Sequence, residues 1–356
     1  MKQKVVQVVT QMEAGGAQRA ALLLHHEMLR QGVAAELWFL YAKTAAYAGE
    51  TAVRSLWPRR LRWHELPLLW LRVWQSLRHL RPHILITHTH YANAFAQPVA
   101  RLLNIPTRLA VHHNELHTYP APARLLERWL KHSGIFSTSI AVSESVRCSL
   151  INASPPLYSR STRRIYNGLP RSADSIDPGA GSPDLLRRIS GHRILFTAGR
   201  LTDQKNHRAL IASLELLPDC MAVIAGRGSL ETELREQADE LGVAHRLHFL
   251  GEVGSEQVTQ WMRGSDVFVF PSLFEAMPMA LLEAMRNGMT IVASDIAAHR
   301  ELAGDTAILS DTDPHSLATA IRSALEHPRD QLGKKAQARS HNFTVEAMAN
   351  AYLEIH

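Results

Sequence analysis

Short apolar, β-branched runs alternate along this chain with longer stretches in which apolar residues recur at helical spacing. VVQVV at 5–9 has the length and composition of a strand buried on both faces, and it leads into a Gly pair at 15–16. The segment 17–32 keeps helical spacing up to Gly32, a stop signal. AELWFLY (35–41), HILITHTH (83–90), TRLAVHH (107–113) and SIAVS (139–143) predict further strands. Helices are expected between them, one over 66–80 that Pro82 ends. Residues 151–191 lose this periodicity and are rich in Ser, Pro, Gly and Arg, so the domain junction is placed there. RILFTAG (193–199) restarts the alternation, and MAVIAG (221–226), RLHFLG (246–251), DVFVFPS (266–272), TIVAS (290–294) and AILS (307–310) continue it. The spacing predicts helices over 206–217, 229–241, 255–263, 278–287 and 314–326, and a last one over 344–355. Such alternation builds parallel sheets. The expected class is α/β, with two Rossmann-like doubly wound domains. The first spans 1–170, a linker 171–191 and the second 192–340, leaving a helical segment at 341–356 that is free to pack back on the first domain.

Composition narrows the picture. Apolar residues are 46% of the chain and charged residues 20%, a globular balance with no repeat or low-complexity tract. Cys148 and Cys220 are the only cysteines, too few for a zinc site or a disulfide framework, which suits a reducing cytoplasm. The opening MKQKVVQVVTQMEAGG does not read as a signal peptide, and no run of about 18 apolar residues predicts a membrane span. The net charge of +6 is concentrated: residues 54–81 hold seven Arg and one Glu, so the remainder is formally near neutral. The same stretch carries Trp57, Trp63, Trp70 and Trp74. It reads either as a helix with Leu and Trp inward and Arg outward, or as a peripheral membrane contact with Trp at the interface and Arg on anionic headgroups. No nucleic-acid-binding motif accompanies it, and no nucleic acid partner is expected.

Two segments carry candidate chemistry. In PSLFEAMPMALLEAMRNG a strand ends at Pro271, a loop carries Glu275, and Pro278 suits the first position of a helix that runs through Glu283. The first turn of that helix leaves the amides of Met279, Ala280 and Leu281 free to hold a diphosphate. Glu275 and Glu283 are too far apart to share a proton and suit the two ends of an elongated, hydroxyl-rich ligand. In TAGRLTDQKNH, Arg200 and Lys205 follow a strand and fit a phosphate clamp, although loop cations are commonly just solvated. AVHHNELH and THTHY group histidines, but Glu115 is misplaced for a His-Glu-x-x-His zinc site. Asp311 and Asp313 form an Asp-x-Asp, which metal-dependent sugar transferases use; here Asp313 precedes Pro314 and a predicted helix, so N-capping explains it better.

GRLTDQKNH followed by FEAMPMALLEAM resembles the retaining GT-B glycosyltransferases of glycosyltransferase family 4. GGAQR, AVSES, IYNGLP, IAGRGSL, HFLGEV and IVASDIAAHREL occur in the family's order. The resemblance covers nearly the whole chain and is strongest over 165–303. It implies a GT-B architecture, two Rossmann-like domains facing across a cleft. It implies that Arg200 and Lys205 neutralise the donor diphosphate, that Glu283 binds ribose and that Glu275 aligns the donor sugar. Main-chain groups of Ala276, Met277, Pro278, Met279, Ala280 and Leu281 would contact sugar and phosphate. Gly15 and Gly16 would admit the phosphates, and Arg227, Glu252 and Val253 would frame the base. A histidine at the end of an N-domain strand would face the sugar; His113 matches best, with His112 the alternative. Gln18 and Arg227 depart from the family's usual acidic residues. The expected function is metal-independent, retaining transfer of a hexose or N-acetylhexosamine from a nucleotide sugar, UDP ranking above GDP. The expected acceptor is a glycan or lipid-linked glycan in cell-envelope polysaccharide or lipopolysaccharide synthesis. No cofactor is expected, the nucleotide sugar being a co-substrate. The expected location is the cytoplasm, at the inner face of the membrane if 54–81 touches lipid. The alternatives are a sugar-nucleotide epimerase, a non-catalytic sugar-nucleotide-binding protein, and a Rossmann oxidoreductase. The last needs a Gly-x-Gly-x-x-Gly turn, and AGRGSLE lacks the third glycine.

Overall fold

The structure, a computed structural model, describes residues 3–171, 191–326 and 329–355. It divides into two compact units, Met1–Pro170 with Phe343–His356, and Arg171–Asn342. Most of the linker expected over 171–191 lies outside the described residues.

In the first unit the order is β1 (Lys4–Met12), α1 (Gly16–Arg30), β2 (Ala34–Ala42), β3 (Val53–Ser55), α2 (Leu66–Leu80), β4 (Ile84–His88), α3 (His90–Leu102), β5 (Thr107–His112), α4 (Ala121–His132), β6 (Thr138–Ala141), α5 (Glu144–Ala153), α6 (Pro155–Tyr158) and β7 (Thr162–Arg164). The sheet is parallel, ordered β3-β2-β1-β4-β5-β6-β7, so its strand order reverses between β1 and β4. One face packs Val6, Val8, Trp38 and Leu85 against Leu69, Val73 and Leu77 of α2 and Ala92, Ala96 and Val99 of α3. The other packs Val9, Leu37 and Phe39 against Ala21 and Leu22 of α1.

The second unit runs β8 (Arg193–Ala198), α7 (His207–Ser213), β9 (Cys220–Ala225), α8 (Glu231–Glu240), β10 (Leu247–Gly251), α9 (Ser255–Gly264), β11 (Val267–Phe270), α10 (Met279–Arg286), β12 (Thr290–Ser294), α11 (Ala297–Ala303), β13 (Ile308–Ser310), α12 (Pro314–Glu326) and α13 (Arg329–Ser340). Its parallel sheet is ordered β10-β9-β8-β11-β12-β13 and reverses between β8 and β11. Leu195, Ile224, Val269 and Val292 of the sheet meet Leu210, Leu234, Leu317 and Ile321 of the helices in its core. A final helix, α14 (Val345–Leu353), belongs to the first unit. It packs on α1, where Gln31 Nε2 donates to Asn350 Oδ1 at 3.1 Å. The chain enters it past Gly168, where a Cβ would stand 2.2 Å from the Thr344 backbone.

Several local expectations need correction. The supposedly aperiodic stretch from 151 contains α6 and the edge strand β7, which sheet pairing to β6 stabilises without local apolar spacing. The helix expected over 206–217 is α-helical only to Ser213 and tightens to a 3₁₀ turn over Leu214–Leu216. The strand expected over 83–90 stops at His88; Thr89 takes φ 84° and His90 begins α3, so His88 and His90 are not alternate residues of one strand. His113 falls just beyond β5. Pro278 is the cap of α10 rather than its first helical residue. Asp313 does cap α12, its Oδ1 accepting from the N–H groups of His315 and Ser316 at 3.0 Å.

Candidate active site

In open parallel sheets the crevice for ligands lies beyond the carboxyl ends of the strands where the strand order reverses. In the second unit that point lies beyond β8 and β11, and the predicted donor residues sit there. Beyond β8 come Gly199, the exposed Arg200 and a 3₁₀ turn over Asp203–Lys205. The loop after β9 presses on this segment. Gly226, at φ +143°, approaches so closely that a Cβ would stand 1.9 Å from Gly199 O, and one on Gly228 would stand 2.1 Å from Leu201 O. The loop after β11 is tied to the same turn: Leu273 N–H donates to Gln204 O at 2.8 Å, and Gln204 Nε2 donates to Phe274 O at 2.9 Å.

These ties bring Lys205 and Glu275 together. Lys205 Nζ lies 2.5 Å from Glu275 Oε1, with side-chain exposures of 15% and 9%. The ammonium also sits 4.6 Å from the centre of the Phe270 ring, a cation–π contact. Beneath them is His299, which sequence reasoning passed over. It is fully buried, its ring 5.3 Å from Phe270, and its Nδ1 is 2.8 Å from Ser294 O. Burial pushes its pKa down to about 4, so it is a neutral spacer. Ser294 Oγ in turn donates to Ser272 O and pins the start of the Glu275 loop.

The rest of the second unit's predicted donor set lies on the loops after β9, β10 and β11 and in α10. Ala276, Met277, Pro278 and Met279 are buried. The first intrahelical bond of α10 runs from Leu282 N–H to Pro278 O at 3.2 Å, so the N–H groups of Met279, Ala280 and Leu281 have no acceptor within the helix. Glu283 is half-buried in the second turn of α10. Arg227 lies against Gly251, where a Cβ would stand 3.4 Å from its Nε, and Glu252 and Val253 follow.

Gly15, Gly16 and the histidines belong to the first unit, beyond β1, β4 and β5. Gly15 caps α1 at φ −178°, an ordinary extended conformation, so its value lies in space rather than in dihedral freedom. A Cβ there would meet only the far end of the Gln18 side chain, at 2.6 Å from Oε1. β5 ends at His112 and His113 opens the bend after it, and the two candidate histidines have different surroundings. His112 points into the helical layer, fully buried, its Nε2 3.5 Å from Glu127 Oε1. Burial drives His112 down to about 3 and Glu127 up to about 7. His113 is half-buried, with Nε2 3.0 Å from Nδ1 of the buried His88. Among the described residues no cluster of three or more His, Cys, Asp or Glu is placed to hold a metal ion.

Known sequences match both units. The family model for Glycosyl transferases group 1 matches residues 186–339, and that for Glycosyltransferase Family 4 matches 14–172. The chain belongs to glycosyltransferase family 4. Among curated members, the lipopolysaccharide core biosynthesis mannosyltransferase LpsB of Rhizobium meliloti is 31% identical over 175 residues, 44% of this chain and 49% of that protein. The putative glycosyltransferase EpsF of Bacillus subtilis is 26% identical over 326 residues, 85% of this chain and 82% of that protein. The match to LpsB thus spans about half of its length. Among solved structures, Anabaena Alr3699/HepE in complex with UDP and glucose superposes with a TM-score of 0.86 at 20% identity, covering 99% of this chain and 98% of that one. WaaG, a glycosyltransferase involved in lipopolysaccharide biosynthesis, gives 0.74 at 13%, covering 99% of each chain. The chain therefore has the GT-B fold, two Rossmann-like units with parallel sheets.

Proposed function

We propose that this glycosyltransferase moves a hexose or N-acetylhexosamine, with retention and without a metal or other cofactor, from a nucleotide-diphosphate sugar to a glycan or lipid-linked glycan of the cell envelope. The Lys205–Glu275 pair at the strand-order reversal of the second unit carries the reading. In this assignment Lys205 and Arg200 take the charge that develops on the departing diphosphate. The amides of Met279, Ala280 and Leu281 hold its oxygens at a helix N-terminus. Glu283 accepts from the ribose hydroxyls and Arg227 borders the base. Glu275, held by Lys205, aligns the sugar, and His113 donates to it. A UDP donor is favoured because the HepE structure that superposes on this fold holds UDP and glucose. The polysaccharide setting is favoured by relatives named for lipopolysaccharide synthesis and by a UDP-Gal:alpha-D-GlcNAc-diphosphoundecaprenol galactosyltransferase of Escherichia coli, 34% identical over 143 residues.

Thermal unfolding with UDP, GDP, ADP and their sugar derivatives, with and without EDTA, tests the donor. UDP or a UDP-sugar is expected to raise the transition of the second unit in both buffers, because a ligand bound only by the native state stabilises it. Stabilisation by GDP alone would overturn the nucleotide. Stabilisation that EDTA removes would overturn metal independence.

We infer in addition that the outer helical layer of the first unit rests on an anionic membrane, with the protein at the cytoplasmic face. No described helix is long and apolar enough to cross a membrane. Yet α2, α3 and α4 pack side by side, and the reading with every Trp inward does not hold. Trp57 is buried, but Trp63 is 83% exposed, and Leu68, Trp70 and Leu71 of α2 and Leu125, Leu126 and Trp129 of α4 are exposed with it. Arg59 is committed to the buried Glu65, at 2.5 Å, and is spared in the test. Replacing Arg60 and Arg62 by Ser should weaken sedimentation with phosphatidylglycerol vesicles by about 30-fold, at roughly 1 kcal/mol per Arg. Unchanged sedimentation sinks the membrane reading.

A further inference from the structure

Behind His113 the structure holds a line of buried polar side chains that the donor reading does not use. Gln7 of β1 and His88 of β4 are both fully buried, and His88 bridges them, Nε2 to the Gln7 carboxamide at 3.0 Å and Nδ1 to His113 Nε2 at 3.0 Å. The far end of this line is anchored on the α1 backbone. With its amide nitrogen toward His88, Gln7 also donates to Ala21 O at 3.3 Å, while its oxygen accepts from His25 N–H at 3.2 Å. The opposite orientation would set the amide donors against the His25 N–H, so the backbone fixes the polarity of the carboxamide.

We propose that Gln7 and His88 are positioning residues that fix the tautomer of His113, making it a neutral hydrogen-bond donor through Nδ1 rather than a base. The polarity passes along the line one proton at a time. Gln7 donates to His88 Nε2, so the hydrogen of a neutral His88 sits on Nδ1. That hydrogen is donated to His113 Nε2, so the hydrogen of a neutral His113 sits on Nδ1. Burial depresses both imidazoles, His113 to about 4 and His88 well below its ordinary value, which removes the imidazolium alternative near neutral pH. With its Nε2 lone pair occupied, His113 offers a ligand a donor and no acceptor. That suits a sugar hydroxyl or ring oxygen. The functional part rests on the assignment of His113 to the donor sugar; the tautomer does not.

The test is long-range ¹H–¹⁵N correlation on the intact protein labelled in its histidine rings, without substrate, assigned with His88→Phe and His113→Phe. His88 and His113 are both expected as Nδ1–H tautomers at pH 7.5. An Nε2–H tautomer or an imidazolium at His113 overturns the proposal. Gln7→Glu supplies a carboxylate that can only accept, so it should drive both rings to the Nε2–H form and lower kcat about a hundredfold, the loss of one aimed donor, with donor KM little changed. Gln7→Leu should leave the rings a mixture of tautomers. Its spectrum decides the matter if the Glu variant does not fold: both rings still wholly Nδ1–H would mean Gln7 sets nothing. Expected tautomers together with full activity in His113→Ala would leave the relay standing and remove His113 from the donor sugar.

Discussion

Lys205→Ala lowers kcat/KM for sugar transfer by about a thousandfold, the scale of removing one preorganised charge from a developing anion. The loss falls on kcat, because the charge on the departing diphosphate is greater in the transition state than in the bound donor. The same substitution weakens the fold. Glu275 is 9% exposed and would be left without its 2.5 Å partner, and breaking a buried pair on one side costs about 3 kcal/mol. Glu275→Ala should act alike, leaving the ammonium on the Phe270 ring without its carboxylate. The two effects separate in the double variant Lys205→Met, Glu275→Gln, which removes both charges at nearly constant volume. It should regain most of the lost stability in urea unfolding and none of the activity. Activity within tenfold of the parent in either single variant would remove that residue from the mechanism. A double variant as unstable as the singles would show that packing, not charge pairing, sets the cost.

Gly226→Ala abolishes nucleotide binding and destabilises the second unit by about 4 kcal/mol or more, the range reached when backbone must move. Two constraints coincide at this position. Its φ of +143° is open to glycine and strained for any other residue, and the added Cβ would lie 1.9 Å from Gly199 O. The atom in the way is main chain at the end of β8, so no rotamer change relieves the contact. Relief requires the loops after β8 and β9 to part, which displaces Arg200 and Arg227 together. Gly32→Ala is the control, since Gly32 has φ +77° but nothing within 4 Å of the added atom. It should cost about 1 kcal/mol, the backbone penalty alone. Comparing the two by urea unfolding and by UDP titration isolates the close approach; equal costs would mean that the loops are not in contact.

Much of the site was legible in the chain because strand ends and helix starts are local signals. The short apolar run 194–198 ending at Gly199, and Pro278 ahead of a helical repeat, marked the two loops that carry Lys205 and Glu275. Apolar spacing also carried the strand–helix alternation through both units. Segments held by pairing rather than by their own pattern were not legible. β7 has the sequence Thr-Arg-Arg and is a strand because β6 lies beside it, and α13 carries too few apolar residues to announce a helix. His112 and His113 are adjacent in sequence and looked interchangeable. Only the fold, which ends β5 between them and sets Glu127 beside one ring and His88 beside the other, gives them different surroundings.

The sequence by itself determined most of the elements, the class of fold and the loops that carry the candidate donor residues, because each rests on spacing within about twenty residues. The tertiary structure decided which distant residues meet. Lys205 meets Glu275 across 70 positions, and Gln7 meets His88 across 81. Such meetings depend on strand order and register, which place β8 beside β11 and β1 beside β4. No local period encodes a partner that distant; the sheet supplies it when it closes.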